Sequence, residues 1–172
     1  GAALDVAQIA GTGFTSLTVT GTTMANNVAN TSTGNCFGGA VISTSIGATL
    51  SFTDSNFTGN QCIQTTGTSN SANGGGLYNQ NSTFNITRCN ITGNASGVAV
   101  GDNGFAGGFR ALGSAGPTIT NIIESNLSNN TATGAYAGFL NVGITNQTAE
   151  VTLNLDRTLI SNNTATDVDA IG

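Results

Sequence analysis

The sequence predicts an all-β chain wound into a parallel β-helix, a solenoid of about five coils with three short strands in each. Three observations predict it. The phrase FTDSNFTGN at 52–60 returns as ITRCNITGN at 86–94, and more loosely as VTGTTMANN (19–27), IIESNLSNN (122–130) and LDRTLISNN (155–163). Aligned on their last Asn, the copies lie 33, 34, 36 and 33 residues apart, a period that marks stacked repeat units. Gly, Asn, Thr and Ser dominate a chain with a single proline, Pro117, and that mixture favours strands and tight bends over helix.

Each coil begins on a glycine cue that opens a strand. The cues are Gly38-Gly39-Ala40-Val41, Gly75-Gly76-Leu77, Gly107-Gly108-Phe109, Ala137-Gly138-Phe139 and, more loosely, Gly1-Ala2-Ala3-Leu4. The second strand follows from apolar residues ten and eight positions before the anchor Asn. These read Leu17, Leu50, Phe84, Thr120 and Leu153, then Val19, Phe52, Ile86, Ile122 and Leu155, a period of two with one polar exception. A bend separates it from a third strand carrying Met24, Phe57, Ile91, Leu127 and Ile160 three before the anchor. Between that strand and the anchor stand Asn26, Gly59, Gly93, Asn129 and Asn162, and Gly or Asn is what a left-handed bend requires. The coils fall at about 1–37, 38–74, 75–106, 107–136 and 137–172, one β-helix domain or segment spanning residues 1–172. The stretches 28–37, 61–74 and 95–106 read as variable loops between coils.

Stacked coils place like residues above one another. The anchors Asn27, Asn60, Asn94, Asn130 and Asn163 are therefore expected to form a hydrogen-bonded structural ladder rather than a ligand row. Six positions before each anchor, Asp54, Arg88, Glu124 and Arg157 alternate in sign along four successive coils. They form a charge ladder whose worth lies in setting register, since exposed ion pairs contribute little stability.

GGAV at 38–41 followed by FTGN at 57–60 resembles the paired GGA(I/L/V) and FxxN repeats of the chlamydial polymorphic outer-membrane proteins and of related surface β-helix proteins. The resemblance runs the length of the chain as degenerate copies. It implies a right-handed parallel β-helix displayed outside the cell, often adhesive.

Chemistry is constrained by what the chain lacks. It has no His and no Lys, which excludes Ser-His-Asp and Cys-His arrangements and ordinary zinc sites. No catalytic, cofactor-binding or metal-binding residue is assigned, and no cofactor is expected. Asp167 and Asp169, in a terminal segment, are a minor candidate for a calcium or acid pair, and Gly101-Asp102-Asn103-Gly104 reads as a turn rather than a calcium site. With 6% charged residues and a net charge of −5 the chain carries no basic footprint for nucleic acid. No apolar run approaches the ~20 residues of a membrane helix, so no membrane insertion is expected. Cys36 and Cys62 fall at the same corner and are candidates for a disulfide in an extracellular or cell-surface setting. Cys89 lies in an inward small-residue column and reads as an inert buried thiol.

Asn-x-Ser/Thr sequons make Asn30, Asn56, Asn81, Asn85, Asn90, Asn126, Asn129, Asn146 and Asn162 candidate glycosylation sites, with the anchor Asn94 a poorer one. The alternative is that a chain this rich in Asn, Ser and Thr forms sequons by accident. Open rungs at the ends predict head-to-tail self-association or continuation in a longer β-helix, with glycans or a cell-surface ligand as further partners. The reading is a non-enzymatic extracellular structural or adhesive module, stacking end to end into a fibre. The alternatives are a carbohydrate-active β-helix enzyme (polysaccharide lyase or hydrolase) and an ice-binding protein, although the outward column Thr18, Ser51, Asn85, Asn121, Asn154 departs from a Thr lattice.

Overall fold

The computed structural model describes residues 2–7, 16–65, 71–97, 103–133, 140–144 and 149–166. The cue residues Gly1 and Ala137 to Phe139, the sequon Asn146, the acids Asp167 and Asp169, and the turn residues Gly101 and Asp102 lie outside them. The described residues contain strands and no helix, and every strand pairing is parallel. The chain is a β-solenoid.

Five sheets run along the axis. Sheet 1 stacks Leu4–Val6, Val41–Ser43, Leu77–Gln80, Phe109–Gly113 and Leu140–Ile144. Sheet 2 stacks Ser16–Thr20, Thr49–Thr53, Thr83–Thr87, Thr118–Ile123 and Val151–Asp156. Sheet 3 stacks Thr23–Ala25, Asn56–Thr58, Asn90–Thr92, Asn126–Ser128 and Leu159–Ser161. Sheet 4 stacks Val28–Thr31, Gln61–Gln64, Ala95–Ser96, Thr131–Thr133 and Thr164–Thr166. Among the described residues, sheet 5 stacks Cys36–Phe37, Ser71–Asn73 and Asn103–Phe105. The repeat phrases lie in one register: Phe57 pairs with Ile91, Ile91 with Leu127, and Leu127 with Ile160.

The coil is divided more finely than the three strands expected. The stretches read as loops at 28–37, 61–74 and 95–106 each carry a sheet 4 strand at the start and a sheet 5 strand towards the end. The apolar residues those strands bury are small, such as Ala29, Cys62 and Ala72, so no large apolar alternation announces them. The last glycine cue is also one residue out of step, because Leu140 rather than Phe139 pairs with Phe109.

Sheets 1, 2 and 3 enclose the main core. Leu77 and Phe109 enter from sheet 1, Phe52, Phe84 and Ile122 from sheet 2, and Phe57 and Leu127 from sheet 3, all without solvent exposure. Burial of such side chains, about 1.5–3 kcal/mol each, is the main stabilising term. Aromatic contacts run both across and along the axis, Phe52 to Phe57 at 5.2 Å and Phe52 to Phe84 at 5.6 Å between ring centres. The polar exception Thr120 is satisfied within this core: Asn79 donates from Nδ2 to its Oγ1 at 3.1 Å.

Sheets 4 and 5 face each other in a smaller side lobe around Ala29, Cys36, Cys62 and Ala72. A narrow neck joins the lobes, and the glycine cue is its consequence. A Cβ on Gly39 would collide with the backbone of Gln61 and Gly75, and one on Gly75 with the backbone of Ala95 and Gly107. A Cβ on Gly76 would stand 3.1 Å from the side-chain carbon of the anchor Asn94. The Gly-Gly cue and the anchor Asn thus meet at the neck, which gives a physical reason for their pairing in the repeat.

Three columns of left-handed residues turn the coil. The expected one holds Asn26, Gly59, Gly93, Asn129 and Asn162, with φ of 58°, 64°, 64°, 57° and 53°. A second, at the neck, includes Gly38 and Gly74. The third is the charge column itself: Asp54, Arg88, Glu124 and Arg157 have φ between 45° and 52°.

Candidate functional site

The anchor asparagines form a continuous ladder. Nδ2 of Asn27 donates to Oδ1 of Asn60 at 2.8 Å, Asn60 to Asn94 at 3.0 Å, Asn94 to Asn130 at 3.0 Å, and Asn130 to Asn163 at 2.9 Å. Each acceptor oxygen also takes the backbone N–H of the Asn below it; Nδ2 of Asn60, Asn94 and Asn130 donates a second time, to a sheet 3 carbonyl of the previous coil, and Nδ2 of Asn163 donates to the Leu127 carbonyl in the same way. Asn60, Asn94 and Asn130 are fully buried, and this accounts for their amide hydrogen-bonding capacity. The ladder therefore holds the neck.

Two further amide ladders lie outside. In sheet 2, Asn154 donates to Asn121 and Asn121 to Asn85, each at 2.8 Å. In sheet 3, Asn90 donates to Asn56 at 2.8 Å. The charge column is paired two by two. Arg88 holds Asp54 through Nε at 2.7 Å and Nη2 at 2.9 Å, and Arg157 holds Glu124 at 2.8 Å while also reaching Asp156 at 2.9 Å. The hydrogen bond from Arg88 holds the Asp54 carboxyl below its ordinary value. A depressed carboxyl contributes stability that is present above its unfolded-state value and is lost as pH falls through the folded one. In Arg88→Ala the Asp54 titration followed by NMR is expected to move up towards the ordinary carboxylate value.

The sequon residues are placed unevenly. Asn30, Asn90, Asn129 and Asn162 are exposed; Asn56, Asn85 and Asn126 are half-buried on outward columns. Asn81 is buried, and its Oδ1 accepts the backbone N–H groups of Ser114, Ala115 and Gly116 at 3.1, 2.9 and 3.2 Å. The amide oxygen of this buried sequon residue thus serves the turn at 114–116, a setting less accessible than that of the other described sequons except Asn94. Asn94 is likewise sealed in the neck.

A disulfide joins Cys36 of sheet 5 to Cys62 of sheet 4 across the side lobe, with 5.8 Å between Cα atoms. Cys89 is a free, buried thiol, and burial raises its pKa. Alkylation of denatured protein without reductant should add one iodoacetamide adduct, on Cys89, and three after reduction. Replacing both bridged cysteines by Ala should lower stability by about 3 kcal/mol in chemical denaturation.

One concavity on the described surface lies in the re-entrant angle between sheets 1 and 5. Two hollows of about 230 and 310 Å³ share Asn35 and Phe37, so they form one groove along the axis. Its floor is the outward column Asp5, Ile42, Tyr78 and Arg110 of sheet 1. Its wall is the sheet 5 column Phe37, Asn73 and Phe105. Phe37 meets Tyr78 at 4.9 Å between ring centres, and the Arg110 guanidinium lies 4.0 Å from the centre of the Phe105 ring. Burial pushes the Tyr78 phenol up to about 12, so it stays neutral and donates to Gln80 at 3.2 Å. The sequence reading missed this groove, since it depends on sheet 5. The signal was present in Phe37 and Phe105, which each stand four residues before Val41 and Phe109, themselves one column of sheet 1.

The chain matches no family model, and no curated protein sequence or solved structure matches it.

Proposed function

We propose that the chain is a non-enzymatic extracellular module, structural or adhesive, of the kind its polymorphic outer-membrane protein-like repeats suggest. The observation that carries this reading is the surface made by its ladders: the outward amide columns of sheets 2 and 3 are neutral side chains bonded to one another, and the charge column is self-paired. Such a surface is rigid and regular, and it spends its polar groups on stacking rather than on acid–base chemistry. The meeting of the Gly-Gly cue with the anchor Asn at the neck supports the repeat assignment, and the Cys36–Cys62 bridge suits an oxidising setting. The test is to coat beads with the protein and apply them to surfaces bearing polysaccharides and glycoproteins, assaying the same material for released reducing ends. Adhesion without product is expected. Product release would favour the carbohydrate-active enzyme, and beads that adhere to nothing would leave only the structural role.

End-to-end stacking is part of the proposal. Leu155 and Ile160 in the last described rung are 44% and 38% exposed, whereas their counterparts one rung earlier, Ile122 and Leu127, are sealed. A further rung, from a continuing chain or another copy, would cover them. Sedimentation that stays monomeric at high concentration would count against stacking of copies.

A second reading, ice binding, gains from the outer face of sheet 2. Beside its Asn-rich middle column run Ser16, Thr49, Thr83, Ile119 and Thr152 on one side and Thr20, Thr53, Thr87, Ile123 and Asp156 on the other. Together they make a lattice of about 4.8 by 6.8 Å. Absence of thermal hysteresis and of ice-crystal shaping at millimolar protein would dispose of it.

A further inference from the structure

We infer that the groove between sheets 1 and 5 is an oligosaccharide-binding site, which takes a chain of at least two sugar rings lying along the solenoid axis. This deepens the adhesive reading by naming its ligand class. Three features lead to it.

The first is shape. The two hollows joined at Asn35 and Phe37 span four rungs of the floor column, from Asp5 to Arg110. At about 4.8 Å per rung that is roughly 14 Å, a length that suits an extended chain better than a single compact molecule. The groove is open along its side, so a chain can enter it sideways.

The second is the spacing of the rings. Phe37 and Phe105 occupy the same column of sheet 5 with Asn73 between them, two rungs apart or roughly 9.6 Å. This is close to the repeat of a disaccharide in an extended β-linked chain. Both rings are half-buried, presenting apolar surface to solvent beside polar groups, which is how a sugar's C–H face is received. Arg110 packed on Phe105 fixes the second ring from behind, as Tyr78 fixes the first.

The third is the polar complement. Asn35 uses its Oδ1 to accept the N–H of Ser71 at 2.8 Å, so its Nδ2 remains to donate to a ligand. Gln80 uses its Oε1 to accept from Tyr78, which likewise leaves its Nε2 to donate. These two amides flank the aromatic wall, oriented by bonds to the protein rather than by the ligand, the preorganisation that weak sugar hydrogen bonds need.

The experiment titrates the whole chain with chitotetraose, cellotetraose and tetragalacturonate, read by calorimetry and by NMR shifts of groove amides. Saturable binding of at least one of them is expected. Phe37→Ala and Gln80→Ala should each weaken it about tenfold or more, while Phe37→Tyr retains it, with thermal unfolding recorded to show that each variant is folded. Absence of saturable binding for all three would overturn the inference, as would equal binding by Phe37→Ala and Gln80→Ala. The failures are separable. Beads that adhere while no tetrasaccharide binds would sink the groove alone, and tetrasaccharide binding without adhesion would sink the adhesive reading alone.

Discussion

Asn94→Ala is expected to destabilise the protein by about 4 kcal/mol, lowering its melting temperature by roughly 10 °C. Asn94 is fully buried, and its amide makes four hydrogen bonds. It accepts from the N–H and Nδ2 of Asn60 at 2.9 and 3.0 Å, and it donates to the Phe57 carbonyl at 2.9 Å and to Asn130 at 3.0 Å. Removing it leaves the Asn60 N–H and the Phe57 carbonyl without that partner inside the neck, each costing about 1–3 kcal/mol, and opens a small void beside Gly76. Asn94→Asp should be nearly as damaging although it is isosteric, because an acceptor then faces the Phe57 carbonyl and Oδ1 of Asn130. Asn27→Ala, at the half-buried first rung, is the comparison and should cost far less. Circular-dichroism melts decide the matter; equal melting of the Asn94 and Asn27 variants would show that the ladder does not hold the neck.

Gly75→Ala should be severe as well, at least about 3 kcal/mol and visible as loss of soluble folded protein. Its α-hydrogen points at the backbone of Ala95 on one side and the carbonyl of Gly107 on the other, and neither can move without breaking a rung. The effect is steric rather than conformational. Gly47→Ala separates the two, since Gly47 has φ of +77° with open space around it and should lose only about 1 kcal/mol. A soluble Gly75→Ala variant melting like the parent would refute the neck as described.

The two substitutions also show which parts of the fold were legible in the sequence. Apolar alternation around the anchors fixed sheets 2 and 3 and their register, because large side chains such as Phe57 and Ile91 must enter a common core and a one-residue slip would expose them all. The Asn ladder was legible for the same reason. The side lobe was not: Ala29, Cys62 and Ala72 bury too little to reveal a strand, and only Cys36 and Cys62 hinted that two segments meet there. The left-handed turn at the charge column was also obscure. Asp54, Arg88, Glu124 and Arg157 are not residues that advertise such a turn, and Gly21 alone, with φ of 60°, pointed to it. The groove inherits both difficulties, since it exists only where the side lobe folds back on sheet 1.

The bridge between Cys36 and Cys62 has a mechanical consequence. Pulled along its axis, a solenoid releases one coil at a time, and a coil of 34 residues lengthens by roughly 115 Å when drawn straight. The bridge joins residues 26 apart in sequence and so withholds about 90 Å of slack as the chain is drawn out. Under tension this chain would pay out in long, even steps interrupted by one short one, and a reducing environment would restore the missing length.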